Sequence, residues 1–201
     1  MTQLLYIRTP LEDHNTLRNT VYGNQGVIEN SYRGNILGVS YIAEPLHPCE
    51  DQRTGNEYSI ALLRFDSREH AMNFLISAGF MDVSFLPDCD VYLMPLLKAL
   101  KLGNCWSTFL ITELVCRENY NYLPSRNKFY GIDEVGGVPV AVDTSYVDAI
   151  RSTRRQPAGF RIHQFPDRKT FVDWFNSRNG SEFKQDFRRI SGLNTYLMTF
   201  F

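Results

Sequence analysis

Apolar and polar positions along the chain fall into two similar series. In the first, residues 4–9, 36–43, 58–65 and 91–97 are apolar runs rich in β-formers, and each reads as a strand. Pro10, which cannot donate to a ladder, stops the first strand. Residues 11–22 are polar with Leu17 and Val21 four apart, the mark of a short helix ending near Gly23, and residues 23–35 read as loop. Pro45 and Pro48 punctuate a polar loop running to Asn56. After residues 58–65, Asp66 and Glu69 form a capping-box-like pair, and Ala71, Phe74, Leu75 and Ala78 make one buried helix face. The predicted order is β-α-β-β-α-β.

The second series repeats that order. Residues 107–115, 138–143, 159–165 and 194–200 read as strands. Pro124 breaks the segment 117–130, where the first helix of this half belongs, and a helical turn or two is expected over residues 145–155. Asp167 caps a helix that buries Phe171, Trp174 and Phe175, and residues 182–190 continue helically through Phe183, Phe187 and Ile190. At an offset of 100, Phe65, Arg68 and Ser77 match Phe165, Arg168 and Ser177. At an offset of 104, Tyr92-Leu93-Met94 falls on Tyr196-Leu197-Met198, and Leu5-Tyr6-Ile7 falls on Phe109-Leu110-Ile111. The chain therefore reads as an internal duplication, with units over residues 1–102 and 103–201.

Composition changes this picture little. The 201 residues are 43% hydrophobic and 21% charged, ordinary for a folded chain. No apolar run reaches the ~18–20 residues that span a bilayer, and Arg8 interrupts the N-terminal run before a signal-peptide core forms. A soluble, cytoplasmic protein without a membrane partner is expected. Cys49, Cys89, Cys105 and Cys116 have neither disulfide-scaffold nor zinc spacing, and reduced thiols follow. Residues 150–201 carry ten Lys/Arg against four Asp/Glu, while residues 1–149 carry eleven against eighteen. That asymmetry fits either a basic patch for an anionic ligand or two complementary, solvated halves.

A strand running into Phe165-Pro166-Asp167-Arg168, the helix with Trp174-Phe175 and Ser177, then Glu182-Phe183 and Arg188-Arg189, resembles the dimeric α+β-barrel superfamily. More narrowly it looks like a family of small bacterial proteins of unknown function whose strand ends in Glu-Phe-Pro-Asp-Arg. The carboxylate of that signature is replaced, by Gln164 here and by Arg64 in the first half. The resemblance implies an α+β fold of two tandem ferredoxin-like (βαββαβ) units, their antiparallel sheets packed as an intrachain pseudo-dimeric α+β barrel. It also implies a cavity between sheet and helices for a small apolar or aromatic ligand. The superfamily spans cofactor-independent monooxygenases, haem enzymes, small isomerases and lyases, and ligand sensors, so fold leaves function open.

If strand three of each half turns Ile60, Leu62, Phe160 and Ile162 toward the helices, alternation sends Arg161 and His163 toward the barrel interior. His163, with an imidazole's ordinary range near neutrality, is then a candidate base, and Arg161 its anion-stabilising partner. A structural His–Arg cluster is the alternative. The same reasoning sends Tyr6 and Arg8 inward on strand one, with Thr108 and Thr112 in the other half. It adds Tyr41, and places Tyr92 and Tyr196 at equivalent strand-four positions, as ligand contacts or as core tyrosines.

No metal is expected, because His14, His47, His70 and His163 lack ligand spacing, and no cofactor motif occurs. Neither central strand carries the stacking motif of an RNA-binding domain, which excludes nucleic acid from the expected partners. A small molecule and a homodimer through exposed sheet edges remain. Two functions follow: ligand binding with cofactor-free proton transfer or monooxygenation, or a non-catalytic binding or assembly module whose first half is structural.

Overall fold

The computed structural model describes residues 1–46, 57–103, 106–114, 128–141, 147–153, 159–188 and 193–200. In chain order its elements begin with β1 (Gln3–Pro10), α1 (His14–Gly23), α2 (Gln25–Asn30), β2 (Gly34–Ser40), β3 (Glu44–Pro45), β4 (Tyr58–Phe65), α3 (Arg68–Ser77) and β5 (Asp90–Pro95). They continue with β6 (Thr108–Leu114), β7 (Val138–Ala141), β8 (Asp148–Arg151), β9 (Gly159–Phe165), α4 (Arg168–Phe175), α5 (Arg178–Arg188) and β10 (Leu193–Thr199). The expected first helix of the second half falls mostly outside the described residues. No described helix is long and apolar enough to cross a membrane.

Two compact units result. One comprises Met1–Ala43, Glu57–Leu96 and Tyr146–Gln156; the other comprises Glu44–Asn56, Leu97–Ser145 and Pro157–Phe201. Each is built on an antiparallel five-stranded sheet, ordered β2-β4-β1-β5-β8 in the first and β7-β9-β6-β10-β3 in the second, and neither sheet closes on itself. With the outermost β8 and β3 set aside, both sheets run second, third, first, fourth in their own strand series.

In the first unit, Leu5, Ile7, Ala61, Leu63, Phe65, Val91 and Leu93 meet Leu17, Val21, Ile28, Ala71, Phe74 and Leu75 of the three helices. In the second, Leu110, Phe165 and Leu197 meet Phe171, Trp174, Phe183 and Phe187. Fully burying one such side chain contributes about 1.5–3 kcal/mol. The Trp174 indole nitrogen keeps its hydrogen bond by donating to the Tyr130 carbonyl at 2.9 Å. α5 starts hard against the end of α4: a Cβ added at Gly180 would lie 2.6 Å from Phe175 Cα. That close approach lets Phe183 and Phe187 return over the sheet.

Four local expectations change. Residues 25–30 are helical rather than loop, with Ile28 as their one buried anchor, too little apolar periodicity to be read in advance. The cap of α3 is Ser67, which accepts from the His70 amide at 3.2 Å, because Asp66 is taken by Arg64 at 2.6 Å. Asp167 caps α4 as expected, accepting from the Thr170 amide at 2.6 Å. Residues 148–151 form a strand and not a helical turn, because they pair with β5. Glu44 and Pro45, expected in a loop, pair with β10.

The parity of strand three is also reversed. Ala61, Leu63 and Phe65 point to the helices in the first unit, and Phe165 does so in the second. By alternation Arg161 and His163 share the helix-facing side with Phe165, while Ile60, Leu62, Phe160 and Ile162 face away. The cause is that both strands are buried along nearly their whole length: β4 is apolar on both faces, and in β9 the apolar Phe160 and Ile162 alternate with polar residues but lie on the side away from the helices, so apolarity does not mark the helix-facing side. Strand one is out by one residue as well. Leu5 pairs with Leu63 and Leu110 with His163, which equates Leu5-Tyr6-Ile7 with Leu110-Ile111-Thr112 at an offset of 105. One residue of slip exchanges the two faces.

Candidate functional site

In the second unit, three neighbouring strands set a polar row into the helix-facing side of the sheet. Thr112 on β6 lies between Arg161 on β9 and Thr195 on β10, and the next row is His163, Leu110, Leu197. All of these are buried, Arg161 at 7% exposure and His163 at 2%. Thr112 Oγ1 and His163 Nδ1 are enclosed with no hydrogen-bond partner. A buried polar atom without a partner is uncommon, and this face carries four, since Thr108 Oγ1 and Thr199 Oγ1 lie on the same side nearer its end. The Arg161 guanidinium lies 5.9 Å from the centre of the Phe187 ring. Phe187 in turn packs on Phe183 and Tyr130, with ring centres 4.3 and 6.1 Å away.

The outer side of this cover is charged. Asp186 accepts from the Tyr130 hydroxyl at 3.0 Å and from Lys128 Nζ at 2.7 Å, and Lys128 also pairs with Glu182 at 2.6 Å. Burial pushes the Tyr130 hydroxyl pKa up, as does Asp186, whereas the charge of Arg161 pulls it down. Tyr130 therefore stays protonated and ties the loop before β7 to α5.

His163 departs furthest from the sequence expectation. Burial first, and the positive Arg161 second, push its pKa down from 6.5 to about 3. The imidazole is neutral at physiological pH and is a weak base there; its value does not lie near neutrality. What it offers directly is a hydrogen-bonding nitrogen in an aromatic setting.

The remaining sequence candidates sit elsewhere. Tyr6, Arg8 and Tyr92 lie on the helix-free face of the first sheet, the parity expected of them, with Tyr6 opposite Tyr92 and Arg8 opposite Asp90. They make several contacts within the first unit. Arg8 pairs with Asp90 at 2.9 Å and stacks 4.9 Å from the Tyr58 ring; Tyr92 shares a 2.9 Å hydrogen bond with Ser152. Asp90 also accepts from the amide of Thr153 at 2.8 Å. Tyr196 is buried on the helix-free face of the second sheet, beside Ile111 and Pro45. Tyr41 is 64% exposed in the bend after β2, edge-on to His14 at 4.9 Å.

Thr108 and Thr112 face the helices, away from the side to which Tyr6 and Arg8 correspond. Arg161, His163 and Thr112 thus come together on the helix-facing side of the second sheet, and Tyr196 lies on its other side. Tyr130, Phe187 and Asp186 escaped sequence reasoning, although Phe187 on the apolar stripe of its helix was the available signal. Among the described residues no group of three or more His, Cys, Asp or Glu side chains could hold a metal ion.

These features define an α+β protein of two antiparallel sheets with a buried polar cluster beneath the helices of one. The fold is similar to that of a provisionally assigned monooxygenase from Fusobacterium nucleatum, with a TM-score of 0.57 and 9% identity over 98% of this chain and 91% of the other. A provisionally assigned monooxygenase from Lactobacillus acidophilus aligns over 99% of this chain and 97% of the other, at a TM-score of 0.49 and 11% identity. At such identities the likeness is one of fold, and the second is too remote to carry an argument. No protein-family model matches the chain, and no curated protein matches it significantly.

Proposed function

We propose that the chain is a tandem pair of ferredoxin-like units of the dimeric α+β-barrel kind, working in the cytoplasm. Its second unit binds a small apolar or aromatic ligand beneath α5, at Arg161 and His163. The observation that supports this reading is that two of the orphaned buried atoms on this face, Thr112 Oγ1 and His163 Nδ1, lie next to a guanidinium under an aromatic cover. A ligand oxygen satisfies those atoms, a planar ring fits against Phe183 and Phe187, and Arg161 balances an oxyanion or carboxylate.

If the site is catalytic, the chemistry is cofactor-free proton transfer or monooxygenation, with His163 as base and Arg161 holding the substrate anion. An anion bound at Arg161 offsets the second cause of the low imidazole pKa and makes His163 more basic when substrate is present. The second reading is a non-catalytic binding module with a structural first unit. It is favoured by the same pKa of about 3, since so weak a base takes protons poorly near pH 7. In both readings Tyr6, Arg8 and Tyr92 hold the first unit together.

A panel of hydroxylated aromatic and quinone compounds, screened by thermal shift and then by oxygen consumption, tests both. We expect a hit whose affinity falls at least tenfold in Arg161→Ala and His163→Ala. Turnover that disappears in His163→Ala supports the catalytic reading, and binding without turnover supports the second. Unchanged binding and turnover in His163→Ala would show that the site is elsewhere.

A further inference from the structure

In the first unit, β8 is held by a short ladder, by Ile150 packed against the core and by the side chain of Arg151. Its pairing with β5 covers Arg151 with Val91, Ala149 with Tyr92 and Asp148 with Leu93, interrupted by a bulge. None of its four residues is buried. The Asp148–Arg68 ion pair at 2.8 Å is about half exposed on both sides, the kind of contact that contributes little.

Arg151 is different. One terminal nitrogen of its guanidinium donates to the carbonyls of Phe85 at 2.8 Å, Asp82 at 3.1 Å and Phe80 at 3.5 Å. The other donates to Leu86 at 2.7 Å, Pro87 at 3.0 Å and Val83 at 3.2 Å. Six carbonyl oxygens from eight consecutive residues converge on one planar cation.

The loop that supplies them is held in shape by its own bonds. Asp82 Oδ1 accepts from both the amide and the hydroxyl of Ser84 at 2.8 Å, and the amides of Asp82 and Phe85 close turns onto the carbonyls of Gly79 and Asp82. Phe80 and Leu86 anchor it in the core. Leu86 adopts φ +51°, a strained conformation for a branched side chain, and its carbonyl makes the shortest of the six contacts. A ring of fixed carbonyl dipoles suits a flat, forked donor that reaches in two directions, and suits a compact ammonium poorly.

We propose that residues 80–87 form a guanidinium receptor, occupied by the chain's own Arg151, and that this contact holds residues 147–153 to the first unit. Thr153 adds a second hold on the same described residues, donating to Asp90 at 2.8 Å through its amide and at 3.2 Å through its hydroxyl.

Chemical rescue in the intact chain tests the assignment. Arg151→Ala is expected to lower Tm and to speed amide exchange across β5 and β8 at least tenfold. Guanidinium at 20 mM, far below denaturing concentration, is expected to restore at least half of each effect, and methylammonium at the same concentration neither. Arg151→Lys is expected to behave like Arg151→Ala. A lysine variant as stable as the native protein, equal rescue by methylammonium, or no rescue by guanidinium would each overturn the proposal. Should Arg151→Ala fail to fold, NMR of the native protein decides. Separate, slowly exchanging Arg151 Nη protons support the receptor, and a single averaged signal refutes it.

Discussion

Replacing His163 with leucine removes a titrating group and puts an apolar side chain of similar size in its place. The folded imidazole has a pKa of about 3 against 6.5 in its ordinary state. The sign follows from proton uptake. Below pH 6.5 the unfolded chain gains a proton at this position that the folded chain refuses, so stability falls as pH falls, and the loss is complete only near pH 3. Each pH unit across that interval is worth ~1.4 kcal/mol. From pH 7.5 to 5.0 the unfolded state protonates over roughly 1.5 of those units, which gives about 2 kcal/mol. Denaturant unfolding at both pH values, for the native protein and His163→Leu, measures the difference directly. The native protein should lose ~2 kcal/mol more than the variant. Equal losses would mean that His163 titrates normally, and the argument that burial and Arg161 keep it neutral would fail. Bound ligand should reduce the difference if its anion sits at Arg161.

Two further outcomes follow from buried groups in the first unit. Asp90→Ala leaves the Arg8 guanidinium, 2% exposed, without its carboxylate and frees the Thr153 donors, so a loss of about 3–5 kcal/mol is expected in denaturant unfolding; a loss under ~1 kcal/mol would show that the pair is hydrated. Burial pushes the Cys89 thiol up to about 12, so at pH 8 residue-resolved mass spectrometry should find it alkylated only as fast as the protein opens; labelling at the rate of an exposed thiol would contradict that.

Much of the fold was legible in the pattern of residues, and the reason differs between helices and strands. α3 and α4 each leave one side in water, so their 3.6-residue stripes, Ala71-Phe74-Leu75 and Phe171-Trp174, mark the buried face by themselves. Asp167 announces a cap because an amide two or three residues on must find an acceptor. The apolar runs announce strands. Within one chain, those are local facts.

What only the tertiary structure decided is non-local. β4 and β9 are buried on both faces, so apolarity does not tell which face meets the helices, and their parity comes from the neighbours they bond to; Arg161 and His163 consequently lie under the helices. The offset of 105 between β1 and β6 is likewise a matter of ladder pairing. β8 is a strand because an edge of β5 and a ring of carbonyls wait for it, which residues 148–151 cannot reveal alone. The pKa of His163 is the same kind of quantity, because an imidazole's basicity is set by the water removed around it and the charge placed beside it.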